Sequence, residues 1–589
     1  MALPIATFAF FQGPFASNAD SQTDKIKRLQ GANSLSSTNN KWSISSHQTL
    51  VSTPFKEYIR PTGKRNYAVE DDIRGRHERR LQEVKQLFKQ VTGDSLESLV
   101  MVDALQRLAI DYHFEDEIEA LLQRHFLIST SRYHSLPINA ENLHEAALRF
   151  RLLRQGGYPV PSDVFQHFLY KMNGGTEKRN PQDNDILGLT SLFEASHLGT
   201  DGEDGLDKLR ESIGQRLHAS LADLDHLQAR IVRNSLGNPF HRSLARFTAG
   251  DFLRNLGAHS YGWTNNLGEL AHLDMNIARS VHQCEVLQIS NWWEELGIVK
   301  ELKYARDQPM KWYMWPMAIL TDTGLSQERV LTTKAISFIY IIDDIFDIYG
   351  TIDELASFTD VVIRWECTEK DNIPEYMRMC FHALDDITNE ISFVVYKNHG
   401  WDPLSSLRKT WATLLNAFLV EARWLARGHY PTTQEYMDNA IVSSGVHVLL
   451  VHLFFLLGER IDPQSVHHLE NIPEIVSSTA SILRLWDDLG SAKDEFQDGR
   501  DGSYVECYKQ EFQGSSDEVA RGRVKEMISE AWKRLNKACL HPHPLAKSFT
   551  KAALNTARMV RLMYDYDDNH SLPLLENHMN SLLFRGPSF

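Results

Sequence analysis

Between Ile336 and Asp353 the chain reads ISFIYIIDDIFDIYGTID. Three carboxylates, Asp343, Asp344 and Asp347, stand there in a run that is otherwise mostly Ile, Phe and Tyr. Ile341, Ile342, Ile345, Phe346 and Ile348 surround them, so a helix here is apolar around most of its circumference and belongs inside the protein. Ionised carboxylates are too costly to bury unpaired, so these must face a cation or an opening. In an α-helix Asp343 and Asp347 fall on one face, about 6 Å apart. Two carboxylates at that spacing suit hard divalent cations, and oxygen ligands completed by water and phosphate are what Mg²⁺ prefers.

A second cluster follows in SILRLWDDLGSAKDE, Ser481 to Glu495. Asp487, Ser491 and Glu495 recur every four residues on one helical face, and each offers an oxygen ligand. Arg484 lies one turn before Asp487. A carboxylate–hydroxyl–carboxylate stripe beside a guanidinium can hold a metal and grip a phosphate. Taken alone, the stripe also fits a solvated helix face, with Lys493 and Asp494 on the other side; paired with the first cluster it points to a metal centre. Other polar residues do not extend this chemistry. In HPHP (His541–Pro544) proline breaks the spacing that a helical ligand pair needs, and His447 and His452, inside VHVLLVHLFFLLG, read as satisfied core histidines. Ser443-Ser444-Gly445, just before that run, supplies a glycine and two hydroxyls of the kind that can interrupt a helix.

The elements that must position these groups are helices. Segments such as RHERRLQEVKQLFKQV and VKEMISEAWKRLNKACL place apolar residues at i, i+3, i+4 and i+7, and alternating strand patterns are essentially missing. Gly, Pro and Asn/Asp clusters punctuate them, as in QGGYPVPSD and QDGRDGS. The expected class is all-α. At 589 residues one core is improbable, and two helical domains are expected, at 46–255 and 256–589. Eleven of the twelve tryptophans stand at or after Trp263, which puts an aromatic, apolar interior in the second domain.

Composition narrows the partners. The chain is 42% hydrophobic and 24% charged, with a formal charge of −15. That charge argues against nucleic acid or an anionic membrane, and it means that an anionic substrate needs recruited cations. Five scattered cysteines without CxxC spacing suggest neither a disulfide framework nor a zinc site. The apolar run Val446 to Gly458 is too short to span a bilayer, so no membrane insertion is expected. The first fifty residues hold twelve Ser or Thr, four basic and two acidic residues, and residues 1–45 read as a plastid transit peptide or a disordered leader.

The pair of motifs resembles the DDxxD and (N/D)DxxSxxxE helices of class I terpene synthases. Asp343 to Asp347 matches the first and Asp487 to Glu495 the second. YHFEDEI (Tyr112–Ile118), LRFRLLRQGGYPVPSDVF (Leu148–Phe165) and YARDQPMKWYMW (Tyr304–Trp315) also look like segments of the plant enzymes, so the resemblance runs from about residue 50 to the end. It implies a C-terminal class I terpenoid synthase fold beneath an N-terminal α-barrel-like domain without catalytic residues, in a monomer. It also implies three Mg²⁺ ions, with Mn²⁺ as a substitute. Asp343 and Asp347 would bind metal, with Asp344 in support, and Asp487, Ser491 and Glu495 would chelate the third ion. Arg306 and Arg484 would take the departing diphosphate, and Trp315 and Tyr564 would line the pocket.

Three departures refine this. Ala32 and Asn33 stand where many monoterpene cyclases carry the arginine pair of an RRx8W motif ending here at Trp42. The paired RxR reads Arg306-Asp307-Gln308. A basic residue expected after the second metal motif is replaced near Ser503, with Arg500 close by. Such losses resemble the subgroup that releases acyclic alcohols. The expectation is linalool from geranyl diphosphate in the chloroplast, with farnesyl diphosphate giving nerolidol. Alternatives are a cytosolic nerolidol synthase, another mono- or sesquiterpene synthase, a chain-elongating prenyltransferase (which carries a second DDxxD) and an inactive prenyl-lipid-binding protein. No DxDD string occurs in the first half, QDNDIL at 182–187 being nearest, which argues against protonation-initiated cyclisation.

Overall fold

Helix follows helix from Tyr67 to Leu583, and no strand occurs among the described residues. The computed structural model describes residues 67–91, 95–132, 143–165, 185–256, 261–303, 305–494, 502–540, 544–566 and 572–584. The proposed leader, the Ala32–Trp42 region, Glu495, Arg500, His541–His543 and the first part of QDNDIL lie outside them.

Local chemistry starts several helices as their sequences require. Ser95, Asp185 and Asp225 each accept a backbone N–H at a helix N-terminus. Thr351 with Glu354, and Thr432 with Glu435, close reciprocal caps on the helices Ile352–Arg364 and Thr433–Ser443.

Two apolar cores form. The first gathers Val84, Leu99, Leu105, Phe114, Phe150, Leu192 and Ile213 from the N-terminal helices. The second gathers Trp312, Trp315, Phe338, Ile342, Trp411, Phe454 and Met559. They meet along one 33-residue helix, Thr264–Leu296, which gives Leu267, Leu270 and Ala271 to the first core and Val286, Ile289 and Trp293 to the second. Polar contacts close the seam: Asn536 donates to the carbonyls of His197 and Gly199 at 3.0 and 2.9 Å, and Lys551 pairs with Asp111 at 3.0 Å.

Within the second core the first acidic helix, Ser326–Asp344, is buried without interruption from Arg329 to Asp344. It packs on Pro309–Ile319 and on Val446–Leu457. The second acidic helix, Glu474–Asp494, lies against Asp517–Leu540 and Lys547–Tyr564. By length and composition Thr433–Leu457 is apolar enough to cross a membrane, but 83% of its most apolar window is buried inside the protein. The segment is also broken where Ser443-Ser444-Gly445 suggested: one helix stops at Ser443, Gly445 takes φ 71°, and the next begins at Val446.

Candidate active site

The first acidic helix carries its carboxylates inward at its C-terminal end. Asp343 and Asp344 are 3% and 4% exposed, and the regular helix ends there. Residues Ile345–Tyr349 continue as a single π-helical turn, so Asp347 is displaced from the α-helical register that the spacing suggested. It nonetheless stays within the field of Asp343. Burial first, and then the negative charges of Asp343, Glu421 and Asp344, push the Asp347 carboxyl well above its ordinary range, against the pull of Arg306.

Arg306 is the local counter-charge. Its Nη2 donates to Asp343 Oδ2 and sits beside Asp344 Oδ1, each at 2.7 Å, and its backbone N–H donates to Asp344 Oδ2 at 2.8 Å. Burial still raises Asp344 above the usual carboxylate range, although Arg306 lowers it. The guanidinium lies over the Tyr340 ring, 4.9 Å from its centroid, and its Nε and Nη1 are buried without a hydrogen-bond partner.

On the second acidic helix Asp487 is 3% exposed. Burial, the neighbouring Asp488 and the more distant Asp343 raise its carboxyl well above normal, while Arg484 lowers it. Asp343 is near enough to act on Asp487, and both act on Tyr564, so the two acidic helices bring their carboxylates towards one interior region. Arg484 pairs with Asp488 rather than Asp487: its Nε donates to Asp488 Oδ1 at 3.1 Å and to the Tyr436 hydroxyl at 2.6 Å. Asp488 also accepts from the Tyr436 hydroxyl at 2.9 Å and from Tyr504 N at 3.1 Å, so it anchors the arginine in place. Arg484 Nη1 is buried without a partner. Ser491 lies on this helix, but its side chain is outside the described residues, as is Glu495 altogether.

The aromatic residues gather at the same place. Trp315 Nε1 donates to the Tyr340 hydroxyl at 3.3 Å, and both rings are buried. The Tyr564 hydroxyl is buried without a partner; burial and then the charge of Asp487, with Tyr340, Tyr566 and Asp343 adding, hold it in its neutral form. Of the three departures from the family pattern, two lie among the described residues. Asp307 accepts from Trp293 Nε1 at 2.7 Å, and Ser503 caps the helix Tyr504–Glu511. His447 and His452 are core histidines, bonded to the carbonyls of Thr410 and Val448 at 3.2 and 2.7 Å.

One member escaped the sequence reading. Glu421, on the helix Leu404–Arg427, accepts from Ser443 Oγ at 2.6 Å and from Asn439 Nδ2 at 3.2 Å. Burial and the charge of Asp343 raise its carboxyl, while Arg484 and these hydrogen bonds lower it. The available signal was periodicity, because Glu421 continues the buried stripe of Leu407, Trp411, Leu414 and Phe418. Asp343, Asp347, Asp487 and Glu421 are near enough to act on one another's ionisation, several are pushed towards protonation, and their oxygens are donors of the kind that hard divalent ions take.

Known proteins resemble the chain over most of its length. The N-terminal domain of the terpene synthase family matches residues 54–236, and the metal-binding domain of that family matches residues 294–534. A probable terpene synthase from Ricinus communis is 51% identical, over 93% of this chain and 93% of its own length. An (E)-nerolidol synthase from Cannabis sativa is 49% identical over 83% of this chain and 88% of its own. For a chloroplastic S-(+)-linalool synthase from Arabidopsis thaliana the figures are 46%, 86% and 88%. Isoprene synthase from grey poplar, solved with three Mg²⁺ ions and dimethylallyl-S-thiolodiphosphate, superposes with a TM-score of 0.79 at 32% identity, covering 88% of this chain and 98% of that one.

Proposed function

The chain belongs to the terpene synthase family, divalent-metal enzymes acting on prenyl diphosphates, and on that premise we propose that it ionises geranyl diphosphate and captures the cation with water as linalool. The observation that carries this is the approach of Asp343 and Asp487, each beside an arginine with an unsatisfied buried N–H. In this reading Asp343 and Asp347 on one side, and Asp487, Ser491 and Glu495 on the other, hold Mg²⁺, or Mn²⁺ in its place. The bound ions supply Lewis-acid charge at the leaving diphosphate. Arg306 and Arg484 turn their free N–H groups to its oxygens, which gain negative charge as the C1–O bond breaks and the electron pair leaves with the oxygen. Trp315, Tyr340 and Tyr564 present ring faces and exclude bulk water, which stabilises the allylic cation. One water adds at C3 and loses a proton, giving the tertiary alcohol.

Early capture is favoured by what Asp307 and Ser503 are not. Neither brings a second cation to the leaving group, so the diphosphate is held less firmly beside the carbocation. The Ser/Thr-rich, acid-poor composition of residues 1–45 and the named location of the Arabidopsis relative support a plastid and with it geranyl diphosphate as the substrate. The identity to the Cannabis nerolidol synthase supports a second reading, in which farnesyl diphosphate gives nerolidol in the cytosol.

Incubation with each diphosphate, products being read by chiral gas chromatography, tests both readings. Linalool from geranyl diphosphate at the higher kcat/KM is expected; a dominant cyclic product overturns the acyclic assignment, and turnover of farnesyl diphosphate alone favours the second reading. Asp343→Ala should lower turnover about a thousandfold with the melting temperature nearly unchanged. Full Mg²⁺-dependent turnover in that variant would remove the site from the reaction.

A further inference from the structure

Apart from the carboxylates at the end of the first acidic helix and on the second, three ligand-type side chains from separate elements converge. His77 comes from the helix Tyr67–Gln90, His113 from the 3₁₀ turn Asp111–His113, and Asp274 from the long helix Thr264–Leu296. One ligand atom of each lies within 4.8 Å of the others. His113 Nε2 stands 3.0 Å from Asp274 Oδ1, and His77 Nε2 stands 3.5 Å from the same oxygen. Asp274 is 1% exposed, His77 is 9% exposed and His113 is partly open to solvent.

Hydrogen bonding alone does not close this cluster. Asp274 Oδ2 is occupied by Arg246 Nη1 at 3.1 Å, and Arg246 Nη2 continues to the carbonyl of Thr321 at 2.8 Å. Oδ1 already accepts the Tyr112 hydroxyl at 2.6 Å and meets His113 at 3.0 Å. A carboxylate oxygen has two lone-pair sites, so a third donor has no place on it. His77 is that third group, and its Nε2 is buried without a hydrogen-bond partner while aimed at Oδ1. A small divalent ion resolves the misfit, since it takes a lone pair from each imidazole and from Oδ1 at once. Around a tetrahedral zinc at about 2.0–2.1 Å the ligand atoms lie roughly 3.3 Å apart, close to the two separations found here. Arg246 then balances the carboxylate from its other oxygen and orients it, as outer partners of metal-bound carboxylates do.

We propose that His77, His113 and Asp274 bind one divalent transition ion of the zinc class, separate from the magnesium ions of the acidic helices, and that this ion ties the first described helix to the long helix shared by both cores. Two imidazoles and one carboxylate select zinc or cobalt over magnesium, which takes oxygen ligands almost exclusively. The role is structural: none of the three residues approaches Asp343 or Asp487.

The test uses the full-length protein, stripped with chelator and then held in excess Mg²⁺ so that the carboxylate site is filled. Co²⁺ is titrated as a spectroscopic probe, and Zn²⁺ is used to displace it. The expected result is one equivalent of Co²⁺ with the intense visible bands of a four- or five-coordinate ion. The same bands should appear in Asp343→Asn and weaken at least tenfold in apparent affinity in His77→Gln. Zn²⁺ should also raise the melting temperature of the wild-type protein in excess Mg²⁺, a measurement that needs no variant. No cobalt bands under excess Mg²⁺, bands that persist in His77→Gln, or bands lost in Asp343→Asn would each overturn the proposal and leave Asp274 as the hub of a hydrogen-bond network.

Discussion

Arg306 holds two buried carboxylates with one Nη2 and its own backbone N–H, while Nε and Nη1 find no partner. A guanidinium in this position does two jobs in turn. It neutralises Asp343 and Asp344 in the metal-free protein, and it has donors to spare for an anion. Removing one partner of a buried ion pair costs about 3–5 kcal/mol, because the other charge stays behind uncompensated. Arg306→Ala should therefore melt several degrees lower in chelator. Added Mg²⁺ should stabilise it more than it stabilises the wild type, since the ion then neutralises what the arginine did. Thermal shift with and without Mg²⁺ measures this, and equal shifts in both proteins would show that Asp343 and Asp344 do not answer to that charge. At this scale the sequence was readable where an acid stood among isoleucines. It was less readable at Glu421, whose neighbours Glu421–Arg427 look like an ordinary charged helix end until its place on the buried stripe is counted.

The elements place these residues by close approach. A Cβ on Gly490 would come 2.7 Å from the carbonyl oxygen of Tyr564, so the second acidic helix meets Lys547–Tyr564 at a point where only hydrogen fits. Gly490→Ala must push a backbone, not a flexible side chain. A destabilisation of about 1–3 kcal/mol is expected. Turnover should fall further than the lost stability explains, because Tyr564 moves with its helix. Comparing kcat well below the melting temperature with the melting temperature itself separates the two effects, and an unchanged kcat would show that Tyr564 tolerates displacement. Helix identity was legible from apolar periodicity nearly everywhere, and the break at Gly445 from a glycine and two hydroxyls standing where the resembled family interrupts a helix. The π turn at Ile345–Tyr349, which contacts the helix Leu404–Arg427, was not, since nothing in IFDIY departs from an α-helical pattern.

Across the whole molecule, several histidines are buried in uncharged form. Burial lowers His282, His447 and His452 to about 4 and His241 to about 3, from an ordinary value of 6.5. A depressed pKa means that stability is complete above about 6.5 and is lost as pH falls towards 4, each buried histidine costing on the order of 2 kcal/mol when it must charge. Glu285 and Glu203 are held at about 2 despite burial, by a hydrogen bond from His282 with Arg329 beside it and by Arg154 with Thr200. Their contribution persists above about 4.5 and fades only below it. With Mg²⁺ in excess, so that the raised carboxyls of Asp347, Asp487 and Glu421 stay ionised and do not oppose the trend, the melting temperature should be flat just above about pH 6.5, fall between 6.5 and 4, and fall again below 4.5. A profile that stays flat down to pH 5 would mean that these imidazoles already titrate freely in the folded state. The all-α, two-core plan was legible from length, periodicity and the skew in tryptophan, whereas the sharing of one helix by both cores was not, because its apolar stripe runs on without a break.

At about 1.5 Å per residue, Thr264–Leu296 is a rod of roughly 50 Å with one end in each core. Neither half owns it. A proteolytic cut or a helix-breaking insertion near its middle would rob both halves of a wall at once, so heat should undo the two together in a single calorimetric peak. Strain applied in the first core would reach the second along the rod as tilt rather than fade within the first.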